Sequence, residues 1–268
     1  MTSFHHSVVV RPLEPGRLRE LIGILCDFAE STRAGGGQVL LEDGRPVAGV
    51  RLLKGRHLRP GARYGITAAD STERTVVLVR EWRRTDAIAV EQLSVTADLT
   101  ARMALRLSSP DRPRLVEAEG KLRGPEGSGA LHRGTGRVRL DLAAWWAAAG
   151  LPPGAPPVTR APMTARLGHR LGEARLRLRP RRADGGLWQV DVSVTVRGRW
   201  LLRPVVAVAL AVAGGRVRQG FRSAVERAAD GWNKEIGELL ALDPDELRAE
   251  LAKQSAEHPH DDAGRPPR

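Results

Sequence analysis

The sequence predicts an α+β fold: a curved antiparallel β-sheet with a helix near the N-terminus and a long C-terminal helix packed on it. Three observations lead there. Between Leu93 and Leu107 every second residue is apolar (Leu93, Val95, Ala97, Leu99, Ala101, Met103, Leu105, Leu107), and only a pleated strand has a side-chain period of two. Trp188, Val190, Val192, Val194 and Val196 repeat that period. Val217, Phe221, Ala224, Val225, Ala228, Trp232, Ile236 and Leu239 recur every three or four residues, which describes one stripe of a helix. The Leu93–Leu107 run far exceeds the usual strand of about 5 or 6 residues. It is therefore expected to curve, either around a helix or along a cavity.

The elements follow in order. Ser7–Arg11 reads as a strand, and Leu18, Leu21, Ile22, Leu25 and Phe28 place a helix over Arg17–Glu30, ended by Gly35, Gly36 and Gly37. Gln38–Leu41 and Pro46–Leu53 flank the turn residues Asp43 and Gly44. Ala62–Ala68, Thr75–Arg83, Ile88–Leu107 and Arg114–Arg123 continue as a meander, and Gly124–Gly136 reads as a flexible loop. Arg137–Leu142 alternates again, Ala143–Ala149 forms a short helix, and Leu151–Pro162 holds five prolines in an extended connector. Ala174–Arg179 and Trp188–Arg197 make a hairpin around Asp184, Gly185 and Gly186. Leu201–Ala213 is apolar nearly all round and opens the long helical region. Asp243, Pro244 and Glu246 carry a helix-start signature for a last helix over Pro244–Gln254. One domain over residues 1–242, with the Pro-rich insertion at 151–162, then precedes a short helix and a polar, disordered tail over 243–268.

Composition bounds the chemistry. At 268 residues and 41% hydrophobic content, the chain has enough apolar side chains for a normal core. The net charge is +12, and 39 of the 43 basic residues are arginine. From Asp243 onward seven acids oppose four bases, so the first 242 residues hold the surplus. Part of it sits in Arg166, Arg170, Arg175, Arg177, Arg179, Arg181 and Arg182, opposed locally by Glu173 alone. That stretch reads first as a solvated face in an arginine-biased protein, and second as a nucleic-acid surface. Cys26 is the only cysteine, which excludes an internal disulfide and a cysteine-based zinc site. The opening MTSFHHSVVVRPLEPG has no secretory pattern, and the most apolar run, Pro204–Ala213, is ten residues where a spanning helix needs about 20. A cytoplasmic protein without a membrane span is expected.

Phosphate-cradling glycine loops, a His-Glu-x-x-His metal pattern and a Gly-x-Ser-x-Gly elbow are all missing from the sequence. No cofactor and no metal site is therefore expected. Glu81 stands out because strand alternation places it on the face of Val77 and Val79, where an unpartnered acid would titrate abnormally. The plainer expectation is a salt bridge to an arginine. His258, His260, Asp261 and Asp262 read as a frayed terminus rather than as metal ligands.

In Val190–Asn233, VDVSVTVRGRWLLRPVVAVALAVAGGRVRQGFRSAVERAADGWN, a final strand runs through Arg-Gly-Arg into a long amphipathic helix. This segment, together with the order strand, helix, meander and terminal helix, resembles the START-like or helix-grip superfamily, which includes polyketide aromatase/cyclases and lipid-transfer domains. The resemblance implies a small hydrophobic or lipid-like ligand held between sheet and helix. Met103, Trp188 and Phe221 would form walls, with Tyr64 and Trp82 as polar-tipped contacts. A cyclase-type enzyme is the alternative, with Tyr64 and Glu81 inside the pocket. A shorter likeness, Asp43–Leu107, is to the N-terminal β-sandwich of bacterial glycogen-debranching-type enzymes, and it would imply only an accessory domain.

Overall fold

The computed structural model describes residues 2–67, 74–125, 133–152, 156, 158–198 and 214–256. Among them, thirteen strands form one antiparallel sheet. β1 is Thr2–Val10 and helix α1 is Pro15–Ser31. Then come β2 (Arg33–Gly35), β3 (Gln38–Leu40), β4 (Pro46–Lys54), β5 (Arg63–Ile66), β6 (Arg74–Arg83), β7 (Ala87–Val95), β8 (Thr100–Ser108), β9 (Leu115–Arg123) and β10 (Arg133–Asp141). Helix α2 (Leu142–Ala149) precedes β11 (Met163–His169), β12 (Gly172–Arg182) and β13 (Trp188–Gly198). Helices α3 (Gly214–Ala241) and α4 (Pro244–Ala256) end the described chain.

Strands β2 to β13 lie side by side in chain order, and β1 pairs with β13 at the far side. Helix α1 therefore carries the chain from one edge of the sheet to the other. Each edge is blunted. β2 has only three residues, too short to recruit another strand. β1 is covered by α3: the Asn233 side chain accepts a bond from the Arg11 N–H at 2.7 Å and donates to the Val9 carbonyl at 3.2 Å, while the Trp232 indole donates to the Arg11 carbonyl at 2.9 Å.

The helices pack at one end of the apolar face. Val10, Ala149, Trp188, Val190, Val192 and Ala229 form the main core, joined by Trp145, Trp146, Phe221 and Val225. Fully burying a valine of this core contributes about 1.5–3 kcal/mol. A second core at β3 to β6 holds Val39, Ala62, Tyr64 and Val79. A third joins α1 to α4 through Leu21, Ile24 and Leu247. Helix α4 starts as the sequence predicts: Asp243 Oδ1 accepts from the N–H groups of Asp245 and Glu246, and Glu246 Oε2 accepts from the Asp243 N–H.

Several expectations need correction. The long strand is two: β7 and β8 are joined by a turn at 96–99, closed where Thr96 and Leu99 bond to each other. Val95 pairs with Thr100, so an odd residue faces an even one throughout this hairpin. Leu93 and Val95 consequently lie on the opposite face from Ala101, Met103, Leu105 and Leu107. The alternation survived the turn in the sequence while the faces exchanged in space. The glycine-rich stretch expected as a loop contributes Gly134 and Gly136 to β10, and β11 arises where no strand was expected. The described strands of Asp43–Leu107 belong to the same sheet as the rest of the chain. The apolar segment Leu201–Ala213 and the tail residues His258, His260, Asp261 and Asp262 lie outside the described residues. No described helix is long and apolar enough to cross a membrane.

Candidate binding surfaces on the two faces of the sheet

Antiparallel register sorts the side chains of β7 to β13 into two chemically distinct faces. On the first, Val90, Leu105, Ala118, Val138, Ala165 and Leu176 stand opposite one another from β7 to β12. The next row is Met103, Gly120, Gly136, Leu167, Ala174 and Val196. Near α2 and α3 this face is covered. Toward the other end it is open: Leu167 is 57% exposed, Met103 52% and Leu122 47%. Isolated exposed leucines are ordinary, whereas a contiguous apolar patch marks an interaction surface.

Within that patch lies a trough of about 440 Å³, walled by Leu122, Leu167, Leu171, Ala174 and Val196. Its floor is low because Gly120 and Gly136 face each other across β9 and β10. A Cβ on Gly120 would meet nothing within 4 Å, and one on Gly136 would touch only Leu167 Cδ2, at 3.4 Å. The size suits a small ligand, given that binding pockets run from about 300 to 1,000 Å³.

The five residues expected to contact a ligand are placed in three different surroundings. Trp188 and Phe221 meet in the main core, where Trp145 packs edge-on to Trp188 and Phe4 packs against Phe221. Tyr64 and Trp82 belong to the second core. Met103 alone stands beside the trough, directly opposite Gly120. The trough's own residues were missed in the sequence. Leu122 and Leu167 flank or follow the stretch expected to be a loop, and nothing local marks them as neighbours.

Tyr64 is engaged from within. Its hydroxyl accepts from the Leu58 N–H at 2.8 Å and lies 3.0 Å from His57 Nδ1. His57 Nε2 is 3.0 Å from Thr32 Oγ1, which donates to the Ala29 carbonyl at 2.7 Å. With His57 neutral and Thr32 donating to Ala29, Tyr64 donates to Nδ1, and Nε2–H donates to Thr32. The chain of bonds ties the loop before β5 to the C-terminal end of α1. Leu58 holds a left-handed φ of 51° there, a strained conformation for leucine. Burial pushes the His57 pKa below its ordinary value and the Tyr64 pKa above its own.

Trp82 also has a local partner. Its indole donates to Glu30 Oε1 at 2.9 Å, and Arg84 bridges Glu30 and Asp27 at 2.8 and 2.7 Å. Burial pushes the Glu30 carboxyl up, but the bonds from Arg84 and Trp82 outweigh it and hold the pKa below the usual value.

A β-bulge decides the fate of Glu81. The β6–β7 register shifts between Val79 and Glu81, so Val79 pairs with Val90 whereas Glu81 pairs with Ala89. The extra residue, Arg80, turns Glu81 onto the charged face and Trp82 onto the apolar one, reversing the simple alternation. Glu81 bonds Arg83 and Arg106, both at 2.6 Å. Those two bonds lower its pKa. Glu91 is held in the same way by Arg102 and Arg80, which lower its pKa as well. Neither Tyr64 nor Glu81 lines the trough.

The charged face is also hollow. A concavity of about 990 Å³ extends from Arg80 on β6 to β12 and is bordered by residues 159–162. Among the described residues, no group of three or more His, Cys, Asp or Glu is arranged to hold a metal ion.

The chain matches no protein-family model, no curated protein and no solved structure.

Proposed function

We propose that the protein binds a small hydrophobic or lipid-like ligand on the apolar face of its sheet, in the trough beside β13. The observation that carries this reading is the coincidence of a concave floor with large exposed apolar walls. Gly120 and Gly136 leave room, while Leu122, Leu167 and Leu171 stay substantially exposed around it. A ligand seated there would remove apolar surface that the fold itself leaves in water. The helix-grip resemblance of Val190–Asn233 supports the same class of ligand. The location differs from the one that resemblance implies, because Phe221, Val225 and Ala229 of α3 pack in one core with Val10, Trp188, Val190 and Val192 of the sheet.

Nile red tests the proposal, because an uncharged dye is indifferent to the arginines of the opposite face. The wild type is expected to enhance and saturate dye fluorescence. Gly120→Phe fills the floor without an initial clash, and Leu167→Asp puts charge on an exposed wall; each should weaken binding about tenfold or more while circular dichroism stays unchanged. Absence of dye binding to the wild type, or equal binding by both folded variants, overturns the proposal.

A further inference from the structure

We infer that the concavity on the charged face is a second binding site, and that it takes a compact polyanion carrying two or more phosphate groups. Register places Arg137, Arg166 and Arg175 directly opposite one another on β10, β11 and β12. The adjacent row carries Arg139 and Arg177, with Thr164 between them. Like charges opposed across a ladder repel, so the isolated sheet gains nothing from this arrangement. A multiply charged anion seated over the two rows removes the repulsion.

The surplus is local, which separates it from a general abundance of arginine. On the β6 to β8 part of the same face, Arg80, Arg83, Arg102 and Arg106 are all paired with Glu81 or Glu91. On β10 to β12, Glu119 pairs with Arg137 and Glu173 with Arg175. Arg139, Arg160, Arg166 and Arg177 have no ion-pair partner among the described residues. Among the described residues nine arginines, of which Arg80 and Arg106 are already paired with Glu91 and Glu81, line the concavity against three acids. One of those acids, Asp141, is occupied in accepting the Ala144 N–H at the start of α2. Among the described residues, Arg175 Nε is buried without a hydrogen-bond partner.

The chemistry selects phosphate. Planar guanidinium groups bind phosphate oxygens in a bidentate manner, and neighbouring strands set them about 4.8 Å apart, which presents several forks to adjacent phosphate groups at once. Among the described residues no aromatic side chain lines the concavity, so these offer no stacking platform for the bases of a single strand. A small polyphosphate fits better than a nucleic acid.

Isothermal titration calorimetry with sodium tripolyphosphate tests the site. Saturable one-to-one binding is expected, weakening steeply from about 50 to about 200 mM salt. Arg166→Gln and Arg177→Gln should each weaken it about fivefold or more. Both side chains are unpaired, so the variants should melt no lower than the wild type. Arg51→Gln, which removes the same charge from β4, should bind as the wild type does. Vesicles containing a phosphatidylinositol bisphosphate and a thymidine oligonucleotide identify the source of the phosphate: competition by the vesicles with tripolyphosphate supports the site with a multiply phosphorylated lipid headgroup as its ligand. Oligonucleotide binding that grows with length and ignores Arg166→Gln overturns it. No heat with tripolyphosphate, or equal loss from Arg51→Gln, overturns it too.

Discussion

Tyr64→Phe removes one oxygen and tests whether that hydroxyl serves the fold or a ligand. The substitution keeps the ring in the second core beside Val39, Ala62 and Val79. It deletes the 2.8 Å bond from the Leu58 N–H and the 3.0 Å bond to His57. Each such bond contributes about 0.5–1.5 kcal/mol net, and a donor left unsatisfied costs about 1–3 kcal/mol. The site is only part-buried, so water recovers some of that loss, and about 2 kcal/mol of destabilisation is expected. For a chain of this size, about 2–4 °C accompanies each kcal/mol, which gives a fall in Tm of about 4–8 °C by calorimetry. A urea titration should show a lower midpoint with an unchanged slope. Nile red binding should stay as in the wild type, since Tyr64 does not line the trough. A loss of dye binding with no change in Tm would refute the argument and return Tyr64 to the role of ligand contact.

Two further outcomes follow from the same structure. Burial lowers the His57 pKa from its ordinary value of 6.5, so the folded state holds fewer protons than the unfolded chain as the pH drops past that value. Its contribution to stability is complete above about pH 6.5 and is lost below it. Tm measured from pH 8 down to pH 5 should therefore decline below about pH 6.5 in the wild type, with His57→Gln losing that slope; an identical slope in the variant would rule out His57 as its source. Asn233→Ala uncovers the Val9 carbonyl and the Arg11 N–H at the edge of β1. It should cost about 1–2 kcal/mol and promote self-association in sedimentation velocity, whereas a variant as monodisperse and stable as the wild type would show that the edge needs no cap.

What the sequence makes legible here is periodicity, and what it hides is register. The alternation of Val190 to Val196 and the helical stripe from Val217 to Leu239 identify β13 and α3 directly, because a period is a property of one segment. The capping signature at Asp243 is equally local, and every bond it implies is present. Faces are another matter. The turn at 96–99 exchanges the faces of β7 and β8, and the extra residue at Arg80 exchanges those of Glu81 and Trp82. Each event alters only a few atoms of backbone, yet it moves every following side chain to the other side of the sheet. β11 was illegible because its alternation of Met163, Ala165 and Leu167 with Thr164 and Arg166 is short and is bounded by Pro162, Gly168 and Gly172.

The same distinction explains why the trough was not visible in the chain and the charged surface only in part. Arg175, Arg177 and Arg179 alternate conspicuously along β12, but Arg137, Arg139 and Arg166 join them only because β10 and β11 pair in one particular register. A shift of one residue in β11 would replace Arg166 by Ala165 or Leu167 on the charged face and break the row of three. It would also remove Leu167 from the apolar trough on the other side. The two surfaces are thus set by one register, and a substitution that slips β11 should weaken both, whereas Leu167→Asp and Arg166→Gln should each weaken only its own. Double dissociation of the dye and tripolyphosphate titrations by those two neighbouring substitutions would place the two sites back to back across a single layer of sheet. Loss of both ligands from either one would mean that the two faces do not function separately.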